Sequence, residues 1–236
     1  MQSEVLDEER TINVYLPHGY DADSAKTYPV IYLLDGSSDE DFIHIAGLVQ
    51  FGSYSWINMI PESIVVGIEN VDRTHDFTGD TRDSLHKADY PQMGGSADFI
   101  RFIESELQPY VDSSYNTSRE RTIVGQSLGG LLATEILLKS PDMFDNYIII
   151  SPSLWFDYES YLDIEPTASE KQKRIYVGVG QEGKTMKRVA KSLHKKLKKS
   201  LKENDQLSWG FFKENDHGDV LHLAVYDAFD QLFGAE

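Results

Sequence analysis

Thr122-Ile123-Val124-Gly125-Gln126-Ser127-Leu128-Gly129-Gly130 is the stretch on which the fold turns. Three β-branched residues predict a short strand, and residues 128–139 read as a helix stopped near Pro141. Between them lies G-x-S-x-G, the pattern of a sharp strand-to-helix elbow that holds a serine at strained dihedrals. Glycines two before and two after the serine are expected because the turn presses backbone against backbone, where a Cβ would clash.

The same alternation extends in both directions. Residues 10–16 read as an edge strand, and residues 28–34 (YPVIYLL) as a strand buried on both faces. Residues 63–68 (SIVVGI), 147–150, 174–179 and 207–212 are further strands. Helices are expected over 96–111, with Pro109 forcing a late kink or an end, over 184–202 and over 219–233. Residues 158–173 carry the weakest pattern, a loop or partial cap. Strands alternating with helices predict an α/β fold with a mostly parallel central sheet, helices on both faces and a minimal cap. No linker or internal repeat interrupts it, so one domain over residues 1–236 is expected.

The composition excludes several classes. No apolar run is long enough for a membrane span, and a net charge of −17 disfavours binding to nucleic-acid phosphates. There is no cysteine, so disulfides, thiol chemistry and Cys-ligated zinc are excluded, while the cellular compartment stays open. Residues 1–4 show neither a basic nor an apolar leader pattern. Residues 184–202 hold nine Lys or Arg and no acid, leaving −26 for the rest of the chain. Those bases are spread over most sides of the predicted helix, as on a solvated surface.

A serine hydroxyl is a weak nucleophile and needs a base. Elbows of this kind come in the chain order Ser, acid, His. Three histidines follow Ser127. His194 falls inside the basic helix and His222 inside the last helix, whereas His217 lies in Glu214-Asn215-Asp216-His217-Gly218-Asp219, a polar turn between the last strand and the last helix. His217 is therefore the expected base. Glu182, just beyond the strand over 174–179, is the expected acid, with Asp157, Asp163 and Asp216 as alternatives. The oxyanion is expected on two main-chain amides, those of Leu128 and of Ser37 in the Asp35-Gly36-Ser37 loop, with Asp35 bracing that loop. No metal and no cofactor is required.

With these residues in place, the chain resembles the esterase D-like family of α/β-hydrolases, in its branch of siderophore esterases that cleave enterobactin-type trilactones. The stretches that carry the resemblance include YPVIYLLDG (28–36), VVGIENVDRTHDFTGD (65–80), RTIVGQSLGG (121–130), SPSLWF (151–156) and ENDHG (214–218). The resemblance implies Ser127 as nucleophile, His217 as base and, less firmly, an acid near Glu182. It also implies Arg73 and Trp155 at the substrate cleft; pairing with Asp72 or Asp76, and burial in the core, are their structural alternatives. Gln126 stands where the family commonly has histidine, and its side chain is expected to point away from the chemistry. Gly79 replaces a usual proline, which predicts a looser loop. No counterpart of the N-terminal accessory domain of larger enterobactin esterases is expected; the resemblance is to the shorter, single-domain relatives.

The expected activity is that of a serine carboxylic-ester hydrolase acting on a small-molecule ester through an acyl-enzyme. Siderophore trilactones and aryl esters of feruloyl type are the two substrate classes. The acidic surface favours the neutral aryl ester, and Phe42, Trp56, Trp155 and Phe156 are expected to offer rings for stacking. An acyltransferase of the same fold and an inactive hydrolase-fold binding protein are the other readings that the sequence leaves open.

Overall fold

The computed structural model describes residues 1–234. Its strands are β1 (Gln2–Ser3), β2 (Glu8–Glu9), β3 (Ile12–Tyr15), β4 (Tyr28–Leu33), β5 (Ile64–Ile68), β6 (Thr117–Gln126), β7 (Asn146–Ile150), β8 (Arg174–Gly180) and β9 (Gln206–Phe212). The helices are α1 (Phe42–Gly52), α2 (Arg73–Phe77), α3 (Ser84–Asp89), α4 (Ser96–Phe102), α5 (Gln108–Ser114), α6 (Leu128–Lys139), α7 (Gly183–Ser200) and α8 (Leu221–Phe233).

β3 to β9 form a seven-stranded sheet in the order β3-β5-β4-β6-β7-β8-β9. Only β3 runs antiparallel, against β5; the other neighbours are parallel. β6, the elbow strand, is the central one, with three strands on either side.

The continuous apolar runs have the burial that a two-faced sheet demands. On β7, Tyr147 and Ile149 face one core together with Phe99, Leu131, Ile136 and Val189, from α4, α6 and α7. Ile148 and Ile150 face the other, with Ile45, Val49, Val225 and Phe229 from α1 and α8. Alternate residues of one strand thus feed two cores.

Local differences from the sequence reading have physical causes. The helix expected over 96–111 runs on to Ser114 by passing through a π-helical turn at Ile103–Leu107. Pro109 has no N–H to donate, and the widened turn just before it absorbs the missing bond. β6 is longer than the three residues expected, because its polar start, residues 117–121, is a partly exposed extension. The basic residues of α7 do not surround the helix. Val189, Ala190, Leu193 and Leu197 keep one face buried, and the charges occupy the rest.

Candidate active site

The site forms beyond the carboxyl ends of the parallel strands, where three loops meet. Ser127 joins β6 to α6 at φ 59° and ψ −119°, a conformation that costs a non-glycine residue roughly 1–3 kcal/mol. The surroundings hold it there. Ser127 N–H donates to Ile150 O at 3.1 Å, and its carbonyl accepts from Leu131 N–H at 2.9 Å and Ser153 N–H at 3.0 Å. A Cβ on Gly125 would stand 2.4 Å from Gly129 O, and one on Gly130 would stand 2.9 Å from Ile150 O. On Gly129 it would meet Asp35 Oδ2 at only 3.3 Å. The tightest glycines are therefore those at 125 and 130, rather than the symmetric pair around the serine.

Glu182 follows β8 and His217 follows β9. Their loops are joined through the main chain, by Gln181 N–H donating to Asn215 O at 2.7 Å. Glu182 Oε2 lies 2.5 Å from His217 Nδ1. An ionised carboxylate only accepts, so Nδ1 carries the proton and Nε2 is left for the cleft. Glu182 Oε1 accepts from the Ser151 hydroxyl and from Gly180 N–H. Burial works against its charge, but the hydrogen bonds from His217, Ser151 and Gly180 outweigh it and hold the carboxyl below its ordinary range. The imidazole is half exposed, while the Glu182 side chain is buried.

Ser127, Glu182 and His217 line one cavity of about 480 Å³, together with Ser153, Trp155, Met186 and Asp216. Within it the Ser127 hydroxyl is hydrogen-bonded to Ser153 Oγ at 3.3 Å and not to the imidazole. The other carboxylates have different uses. Asp157 holds Thr81 and Arg82, Asp216 accepts from Gly218 N–H within its own turn, and Asp163 lies at the end of the segment after the cavity's Trp155. His194 packs on Trp209, and the His222 ring lies against His44.

The loop after β4 approaches from the other side. Asp35 adopts φ 55°, Gly36 N–H donates to Ile68 O, and the Asn13 side chain holds Gly36 O. Ser37 N–H donates to no protein acceptor among the described residues, and its carbonyl accepts from Glu40 and Phe42 N–H. Leu128 opens α6, so its N–H is one of those a helix leaves without an internal partner.

Arg73 pairs with neither Asp72 nor Asp76. Its Nε and Nη2 reach the two Asp35 oxygens at 2.6 and 2.9 Å, and Asn70 adds a third bond to the same carboxylate. Arg73 lines a second cavity of about 280 Å³ with Asp35, Glu40, Asp41, Gln126, Ser127 and His217. Trp155 is 40% exposed, so it is not a core residue. The other expected rings are elsewhere. Phe156 is fully buried, Phe42 packs on Gly67, and Trp56 stacks on Tyr54 at a separate depression with Tyr15 and His18.

The expectation for Gln126 is overturned. The Gln126 side chain does not point away: its Nε2 donates to His217 O at 2.6 Å. Gly79 N–H donates to Tyr161 Oη at 3.1 Å, a bond that proline could not make. Among the described residues, no three His, Asp or Glu side chains are arranged to hold a metal ion.

Residues 3–217 match the protein family described as "Putative esterase". The chain belongs to this esterase family. It is 35% identical over 159 residues to Ferri-bacillibactin esterase BesA of Bacillus subtilis, an alignment covering 62% of this chain and 55% of that protein. It thus spans about half the length of that relative. Among solved structures, the IroE-like serine hydrolase from Shewanella oneidensis superposes with a TM-score of 0.87 at 32% identity, covering 98% of this chain and 78% of that one. The BES protein from Bacillus cereus gives 0.88 at 26% identity, covering 99% and 94%. These likenesses fix the α/β-hydrolase fold. No helix among the described residues is long and apolar enough to cross a membrane.

Proposed function

We propose that the protein is a serine esterase with Ser127 as nucleophile, His217 as general base and Glu182 as the acid that orients the imidazole. The observation that carries this reading is the pairing of a strained serine elbow with a Glu182-bound imidazole across one cavity. Rotation about the Ser127 Cα–Cβ bond turns the hydroxyl from Ser153 towards His217, a contact that commonly tightens only when substrate is present. Nε2 takes the hydroxyl proton as Oγ attacks the ester carbonyl, and the carbonyl oxygen develops its charge against the amides of Leu128 and Ser37. One such donor is worth roughly 3 kcal/mol in the transition state. The imidazolium, stabilised by Glu182, returns the proton to the leaving alcohol. Water then repeats the sequence on the acyl-enzyme.

The substrate class follows from the relatives and the charges at the rim. Ferri-bacillibactin esterase is the relative named above, so siderophore-type esters, trilactones that carry aryl groups, are the leading class. The Arg73 charge is already engaged by Asp35, and Glu40 and Asp41 stand beside it. That side of the cleft repels anions and favours esters that approach the serine uncharged. Trp155 offers its exposed ring to an aryl group. A feruloyl-type ester satisfies the same requirements and is the second reading. Turnover of a catecholate trilactone, its iron complex and methyl ferulate, with Ser127→Ala as blank, tests both. Hydrolysis or fluorophosphonate labelling that persists in Ser127→Ala sinks the assignment.

A further inference from the structure

The segment Ser151-Pro152-Ser153 touches both ends of the reacting constellation. The Ser151 hydroxyl donates to Glu182 Oε1, and Ser151 N–H to Gly178 O. Two residues later, Ser153 N–H donates to the carbonyl of Ser127, and Ser153 Oγ lies 3.3 Å from Ser127 Oγ. Ser153 is 2% exposed, yet it lines the cavity shared by Ser127 and His217. A buried hydroxyl therefore lies within hydrogen-bond distance of the Ser127 oxygen, in addition to the groups assigned as base and oxyanion donors.

We infer that Ser153 is a positioning and donor residue for the nucleophile, its hydroxyl giving a hydrogen bond to Ser127 Oγ while that oxygen carries charge. The inference rests on Ser127 being the nucleophile. In the free protein either hydroxyl can donate, and the bond parks Oγ in a defined rotamer. When Ser127 O–H turns to His217 Nε2, its oxygen keeps lone pairs for Ser153 O–H. During acylation the Oγ–carbonyl bond forms and the Oγ proton passes to Nε2. In the acyl-enzyme Oγ has no proton, so only Ser153 can donate across the pair. During deacylation the Oγ–carbonyl bond breaks, the oxygen leaves with growing negative charge, and the proton returns from His217. Ser153 keeps its own proton throughout. Donation to an oxygen that becomes charged is stronger than donation to a neutral one, so the bond lowers both barriers more than it lowers the ground state.

The backbone bond from Ser153 N–H survives in Ser153→Ala, which separates the hydroxyl from the loop's structural role. Burst and steady-state phases of p-nitrophenyl acetate hydrolysis, fluorophosphonate labelling rates and thermal midpoints are measured for parent, Ser151→Ala and Ser153→Ala. In Ser153→Ala both phases and labelling should slow about tenfold, the worth of one hydrogen bond to a developing charge, with KM, pH profile and midpoint near parental. Ser151→Ala, acting through Glu182, should instead move the acidic limb of the pH profile. Rates within twofold of the parent in Ser153→Ala overturn the inference while leaving the esterase reading intact. So does a loss that matches a fall in folded fraction. Should Ser153→Ala not fold, Ser153→Cys, nearly isosteric with a weak donor, must show the same slowing, and parental rates in it overturn the inference. A parent protein that neither hydrolyses the ester nor takes the label overturns both readings together.

Discussion

Gln126 Nε2 donates to the main-chain carbonyl of His217 at 2.6 Å, so the residue before Ser127 holds the loop that bears the imidazole. The half-exposed imidazole is thereby fixed twice, through its ring by Glu182 and through its backbone by Gln126. Gln126→Ala removes the second hold. We expect kcat on p-nitrophenyl acetate to fall about five- to tenfold with KM little changed, the effect of one hydrogen bond of roughly 1 kcal/mol. Parental kcat in this variant would show that Glu182 positions the ring unaided.

Glu182 makes a pH-dependent contribution to stability as well as to chemistry. Its carboxyl sits below the ordinary value of 4.5 in the folded protein. A depressed folded pKa stabilises the native state above the unfolded value, and that stabilisation is lost as pH falls through the folded one. Glu182→Gln should therefore be less stable than the parent at pH 7, by about 1 kcal/mol, and equal to it at strongly acidic pH. Its activity should fall by roughly 10³–10⁴, because an amide in that place favours the wrong imidazole tautomer. Denaturant midpoints of the two proteins across pH, with kcat at pH 7, check this; a stability difference that stays constant to pH 2 contradicts it.

The elbow glycines make unequal demands. Alanine at 125 brings its Cβ to 2.4 Å from a backbone oxygen, whereas alanine at 129 finds its nearest neighbour at 3.3 Å. Gly125→Ala is expected to cost about 3 kcal/mol and nearly all activity, since the clash lies against main chain that cannot step aside. Gly129→Ala should keep most of the stability and measurable activity. Thermal midpoints and labelling of Ser127 in both variants test the contrast.

The acidic rim sets a charge preference that can be tuned. Glu40 is exposed, stands in the cavity with Arg73 and Ser127, and bonds to neither through its side chain. Glu40→Gln should raise kcat/KM for an anionic catecholate ester about two- to threefold at low salt and leave p-nitrophenyl acetate unchanged. The gain should vanish near 1 M salt, where the screening length is about 3 Å. An equal change for both esters would point to altered packing instead of charge.

Most of the framework was legible in the sequence because strands buried on both faces must be continuous apolar runs, and YPVIYLL, SIVVGI and YIII are short, β-branched runs bounded by turn residues. The loops bearing Ser127, Glu182 and His217 could be named from strand ends alone, since a parallel sheet delivers them all to one rim. Side-chain destinations were not legible. Asp72 and Asp76 flank Arg73 in sequence, yet the fold brings it to Asp35, 38 residues away. Gln126 seemed idle because its partner is a carbonyl, and carbonyls leave no trace in a residue pattern. Trp56 looked like a cleft residue by composition, and its place is decided by where α1 ends. Ser153 lies just beyond the strand beside the elbow, but the pattern alone does not say which of Ser151 and Ser153 turns its hydroxyl to position 127; the fold sends that of Ser151 to Glu182 instead.

Ser127 rides on β6 at the middle of the sheet, while His217 hangs from a loop beyond β9, an edge strand, most of whose residues are only partly buried. Borders of a sheet open at lower cost than its centre. Warming is therefore expected to abolish activity at a lower temperature than it melts the fold. On that expectation the His217 loop parts from Ser127 while β6 stays intact, and activity lost on brief warming returns on cooling without refolding of the whole.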